Sequence, residues 1–117
     1  MRLNEVVYNA GLPVDGYGEG FFRIGGVVHN GAVIVLPSGV KPWGGYTDVT
    51  PLADITREID VLFVGTGREI SHLPASFRET LEASGLGVEP MASPAACRTY
   101  NVLLSEGRRV GLALLPV

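Results

Sequence analysis

The chain has 117 residues, 46% of them hydrophobic and 18% charged, with 9 basic against 12 acidic side chains and a net charge of −3. A chain of this length buries most of its apolar surface around one core, and this composition is too apolar for a disordered segment, so a single domain over residues 1–117 is expected. Without a basic excess there is no electrostatic footprint for nucleic acid, and the longest apolar runs, 32–37 and 110–117, fall well short of the ~20 residues that span a bilayer.

The first 20 residues carry Asn9, Gly11, Pro13, Asp15, Gly16, Gly18 and Gly20. Turn formers at that density predict an irregular arm with one short strand near residues 5–8. Residues 21–28 are aromatic and β-branched around Gly25-Gly26, and His29-Asn30-Gly31 separates them from Ala32-Val33-Ile34-Val35-Leu36. Asn-Gly between two such runs predicts an antiparallel hairpin, because both central residues of a type I′ turn need positive φ. Residues 37–46 hold two prolines and three glycines around Trp43 and read as a loop.

Thr50-Pro51 reads as a helix cap followed by a first-turn proline, and Leu52, Ile55 and Ile59 then share one face of a helix of about two turns. Asp60-Val61-Leu62-Phe63-Val64 is continuously apolar after its first residue and stops at Gly65-Thr66-Gly67. Such a run predicts a strand covered on both faces, in the middle of a parallel or mixed sheet. Pro74 opens a second helix with Phe77 and Leu81 on its apolar side and Gly85 past its end. Residues 88–91 form a short strand. Ser93-Pro94 repeats the cap-then-proline start of a third helix, through Ala96, Tyr100, Leu103 and Leu104 to a stop at Gly107, and residues 110–115 form the last strand before Pro116. Strands alternating with helices need crossover connections, which lay helices over a mixed sheet.

The amino-terminal Met1-Arg2-Leu3-Asn4-Glu5 reaches charge and turn residues before an apolar stretch of signal-peptide length can develop. Cys97 is the single cysteine, so neither an internal disulfide nor a cysteine-rich metal site is expected. These features point to the cytoplasm. His29 and His72 have no cysteine or carboxylate at ligand spacing, so no metal and no cofactor is expected.

Three stretches taken in order carry a family resemblance: Asp60-Val61-Leu62-Phe63-Val64-Gly65-Thr66-Gly67, then Gly87-Val88-Glu89-Pro90-Met91, then Ala96-Cys97-Arg98-Thr99-Tyr100-Asn101 continuing to Val110. With the hairpin, Pro37 and Trp43 they cover nearly the whole chain, which resembles the bacterial branch of the uncharacterised MTH-domain family. Its eukaryotic members include a mitochondrial complex I assembly factor and an adipogenesis-associated protein. The resemblance implies an α/β single domain of three layers: a mixed central sheet flanked by helices, with an additional small β layer. It implies no reaction, and the assembly factor acts as a partner protein. No mitochondrial presequence is visible here.

Two chemical readings remain. Gly65-Thr66-Gly67-Arg68 lies past the carboxyl end of a buried strand, where open α/β sheets bind ligands. Its glycines would admit a ligand to backbone N–H groups and Arg68 would pair with an anion, although both the dinucleotide and the P-loop patterns are absent. The bland alternative is a tight turn with a solvated Arg68. Cys97 and Thr99, near the amino end of the third helix, would line the same groove; a thiol beside Arg98 can be activated, or can simply be a small buried hydrophobe. Trp43 either anchors a partner surface or folds back on the core. The leading expectation is an interaction or assembly-type protein with an unknown protein partner, itself a monomer or weak homodimer. The alternative is a small-molecule or anion-binding domain with undiscovered catalysis at the Gly65 loop.

Overall fold

A computed structural model describes residues 11–117; the strand expected at residues 5–8 lies outside the described residues. A three-stranded antiparallel sheet comes first, in the order β1 (Val14–Gly18), β2 (Phe21–Ile24), β3 (Val27–Asn30). The central sheet has five strands: β4 (Val33–Leu36), β5 (Gly39–Pro42), β6 (Val61–Gly65), β7 (Gly87–Met91) and β8 (Val110–Leu114), in the spatial order β5-β4-β8-β6-β7. It is mixed, because β6 runs parallel to both β7 and β8 while β4 is antiparallel to β5 and β8.

The expected burial of the 61–64 run is found: Leu62, Phe63 and Val64 are buried and Val61 half-buried. Period-2 alternation sends Leu62 and Val64 to one face of the sheet and Phe63 to the other, into two separate apolar clusters. The crossover from β6 to β7 passes through α1 (Ala75–Glu82), and that from β7 back to β8 through α2 (Ser93–Ser105). The two crossovers travel in opposite directions along the sheet, so right-handed connections put their helices on opposite faces. Phe77 and Leu81 of α1 accordingly join Ile34, Leu62, Val64 and Ala113. Ala96, Cys97, Tyr100 and Leu104 of α2 join Val35, Phe63, Leu112 and Leu114, and the small sheet completes that side with Val14, Phe22 and Ile24. The expected three layers and the extra β layer are all present.

Four local expectations are corrected. Val14–Gly18, inside the stretch expected to be an irregular arm, forms β1. The hairpin turn is Gly25-Gly26, at φ +56 and +85, which sets Ile24 opposite Val27; two glycines meet the positive-φ demand of a type I′ turn without a Cβ at either position. Asn30-Gly31 instead carries the chain from the small sheet to the central one. Residues 39–42, expected as loop, form β5, which tolerates Pro42 because an edge strand needs no ladder N–H there. The expected helix from Thr50 is a pair of short 3₁₀ turns, Thr50–Leu52 and Ile55–Arg57, parted by Asp54 in the left-handed region at φ +60, and Thr50 makes no side-chain cap. Leu52, Ile55 and Ile59 are all buried nonetheless.

Candidate functional site

The Gly65-Thr66-Gly67-Arg68 loop begins where β6 leaves the sheet, between β7 and β8. Its first two amides after the strand are already engaged: Thr66 N–H donates to Met91 O at 2.8 Å, and Gly67 N–H donates to Ser93 Oγ at 2.9 Å. The Thr66 hydroxyl reaches the carbonyl of Glu69 at 2.7 Å and accepts from Ser71 N–H at 3.1 Å, closing the loop on itself. Arg68 is exposed beyond it.

Ser93 is the residue that sequence reasoning misassigned. The reading as a helix cap fails, because its hydroxyl makes no cap bond. Fully buried, it accepts from Gly67, donates to Leu115 O at 2.6 Å, and gives its own N–H to Gly67 O at 2.7 Å. One side chain thus ties the β6 loop, the start of α2 and the end of β8. Gly65 is needed for that closeness: a Cβ there would lie 2.6 Å from Ser93 Oγ and 2.9 Å from Ser93 Cα. The neighbour that approaches this glycine is α2 of the same chain. The one cue in the sequence was a serine after a short strand, a pattern shared with every capped helix.

Cys97 faces the sheet from α2 and is buried. Burial pushes its thiol up to about 12, with the Arg98 charge pulling weakly the other way, so it stays protonated near neutral pH and lacks the thiolate that nucleophilic attack requires. Thr99 lies on the outward side of α2. With Arg98, Val102 and Leu103 it lines a shallow depression of about 270 Å³, roughly 9 Å along the helix from Ser93 at 1.5 Å per residue. Two neighbours clamp the small sheet: Tyr100 Oη donates to Leu12 O at 2.7 Å, and the Asn101 amide both donates to Val14 O at 2.8 Å and accepts from Val14 N–H at 2.9 Å.

Trp43 sits in the core at 5% exposure, which corrects its use as a surface anchor. Its indole N–H donates to Asp48 O at 3.0 Å, and its ring packs against Tyr46 and Phe77 with centroids 5.7 and 5.9 Å away. Gly44 and Gly45 follow the ring directly, and Gly44 N–H donates to Asp48 Oδ2 at 2.8 Å, which folds the loop back over it. His29 lies within β3 and His72 on the exposed approach to α1. Among the described residues no three His, Cys, Asp or Glu side chains come together as a metal-ligand set.

The surface beside the Thr66 loop is more distinctive. Ile70, the most exposed large hydrophobic among the described residues at 64%, borders a depression of about 280 Å³ with Ser71, His72 and Pro90. The bonds of Thr66 hold its backbone on both sides.

Comparison with known proteins matches residues 14–115 to the family described as "Protein of unknown function (DUF498/DUF598)". An uncharacterized protein of Rhodobacter capsulatus is 47% identical over 117 residues, the whole of this chain and 94% of its own. Human NADH dehydrogenase [ubiquinone] 1 alpha subcomplex assembly factor 3 is 32% identical over 112 residues, 90% of this chain, which spans 61% of the human protein. Among solved structures, one described as an outer membrane protein from Bartonella henselae is 36% identical with a TM-score of 0.83, covering 91% of this chain and 95% of its own. A Mth938-like domain from Bordetella pertussis is 31% identical with a TM-score of 0.73, covering 94% and 87%.

Proposed function

The chain belongs to the DUF498/DUF598 family of unknown function, and from that membership we propose that it is an assembly-type factor, a domain that works by holding another polypeptide. The reading is supported by the likeness to an assembly factor of NADH dehydrogenase along 90% of this chain. It follows that the partner here is a subunit or subassembly of a multi-subunit complex, met in the cytoplasm, where a single buried thiol needs no disulfide partner. No helix among the described residues is long and apolar enough to cross a membrane.

One observation carries the proposal to a place on the surface. Ile70 stands 64% exposed on a loop whose ends are pinned by Thr66. A rigidly held apolar side chain over a shallow depression suits a protein contact, since a partner gains its burial at little cost in loop ordering. Arg68 and Glu69 beside it are exposed and supply a polar rim.

A photocrosslinkable residue placed at position 70 in the native host tests this. The expected product is a stoichiometric adduct with one subunit of a respiratory or other multi-subunit complex. In the same cells Ile70→Asp should reduce recovery of that partner at least ~10-fold, as for a central interface residue, with the melting temperature unchanged. Diffuse crosslinking with no dominant product would overturn the proposal.

A further inference from the structure

Among the described residues two sheets have four edges, and three of them are blunted in the ways that natural proteins use against strand pairing. β1 carries Asp15 and an irregular register between Val14 and Gly16. β5 ends in Lys41-Pro42, both exposed, and β7 contains Glu89-Pro90. The fourth edge, β3, reads Val27-Val28-His29-Asn30, with no proline, no carboxylate, lysine or arginine and a regular register against β2. Val27 and Val28 are 57% and 47% exposed there.

The hydrogen-bonding direction of this edge follows from its turn. In a two-residue hairpin the flanking pair, Ile24 and Val27, faces inward, and the alternation of an antiparallel ladder then turns His29 inward as well. Gly31 fits the same count, since its N–H donates to Gly20 O at 2.8 Å. Val28 and Asn30 therefore point their backbone N–H and C=O groups away from β2, into solvent. The open groups sit two residues apart, symmetrically about His29.

We propose that β3 pairs antiparallel with β3 of a second copy of this chain, about a two-fold axis at His29, joining the two small sheets into one of six strands. In that register Val28 of each copy exchanges two backbone hydrogen bonds with Asn30 of the other, so all four open groups on each side are satisfied. The strand is thus complementary to itself, which an isologous interface requires. No formal charges of like sign meet in it: the nearest cation, Arg23, is paired with Val28 and lies across from Asn30 of the other copy. The two Val28 side chains become diagonal neighbours on one face of the joined sheet. Strand pairing of this length buries less than the ~1,200–2,000 Å² of stable interfaces, so the dimer forms only at high concentration, on the order of 100 µM and above. The inference is independent of the partner surface at Ile70.

Sedimentation equilibrium of the whole chain between 10 µM and 1 mM tests it. The apparent mass should rise from 12.4 kDa toward twice that value, and Val28→Lys should weaken association at least ~10-fold, because an exposed edge lysine opposes pairing. Val102→Lys, at a site on the outer side of α2 that is at least as exposed, should leave the association intact. Amide exchange provides a readout without mutation: Val28 and Asn30 should be protected at 1 mM and unprotected at 10 µM. A constant monomer mass, equal loss with Val102→Lys, or protection of both amides at the lower concentration would each overturn the proposal.

Discussion

Ser93, Asn101 and Cys97 lie within three turns of one helix, and all three act on the packing of the molecule. The Ser93 hydroxyl and the Asn101 amide each satisfy backbone groups of other elements, a service that buried polar side chains commonly perform and whose loss leaves those groups unpaired. Cys97 is the residue where chemistry was most open to two readings, and its setting decides between them. Iodoacetamide at pH 8 should modify the folded protein at least ~100-fold more slowly than the unfolded chain, by mass spectrometry, because the thiolate is the nucleophile and both burial and the raised pKa suppress it. The same shift has a stability consequence. A folded-state pKa near 12 against an ordinary value of 9.0 means that the folded chain holds this proton more tightly. Stability from this group is therefore complete below pH 9 and declines as pH climbs from 9 toward 12. Burial raises the Tyr100 hydroxyl in the same direction. Denaturant midpoints should fall steadily through that window, and a flat profile from pH 9 to 11 would contradict the burial of both groups.

At the level of elements, the loop after β6 and the turn after β2 show glycine meeting different demands. Gly25 and Gly26 are required by positive φ. Gly65 is required by proximity, since a Cβ would enter the space of Ser93 and Leu114. Gly65→Ala should consequently destabilise the protein by about 1–3 kcal/mol, the range for overpacking a filled interior, as read from chemical denaturation. Gly31→Ala, where a Cβ meets nothing within 4 Å, should cost less, through its φ of +81 alone. Equal losses would show that the approach of α2 does not matter. The 3₁₀ pair at residues 50–57 carries a related lesson. The spacing of Leu52, Ile55 and Ile59 correctly marked what is buried, but Asp54 in the left-handed region interrupts the helix that this spacing suggested.

For the whole molecule, the assembly-type reading and the ligand-binding alternative part company in a thermal melt. Nucleotides, inorganic phosphate and small carboxylates at millimolar concentration should leave the melting temperature unchanged. A ligand present at 100 times its Kd would add about 2.7 kcal/mol, a shift of several degrees for a domain of this size, and a rise of that kind would move the function to the Gly65 loop. Much of the architecture was readable beforehand. Continuous apolarity at 61–64, the face shared by Phe77 and Leu81, and the glycines that end both helices are local signals, set by the period of the backbone and by the conformations each residue tolerates. The mixed three-layer α/β class follows from their order. Which sheet receives each strand is not written locally, and so the sequence pattern points to a hairpin at Asn30-Gly31 where Gly25-Gly26 makes it. Nor could spacing show that Trp43 turns inward, that Ser93 bridges three elements, or that Cys97 and Thr99 leave α2 on different sides toward unrelated surroundings. Those facts depend on contacts between residues tens of positions apart, and only the packing of two helices and two sheets against one another creates them.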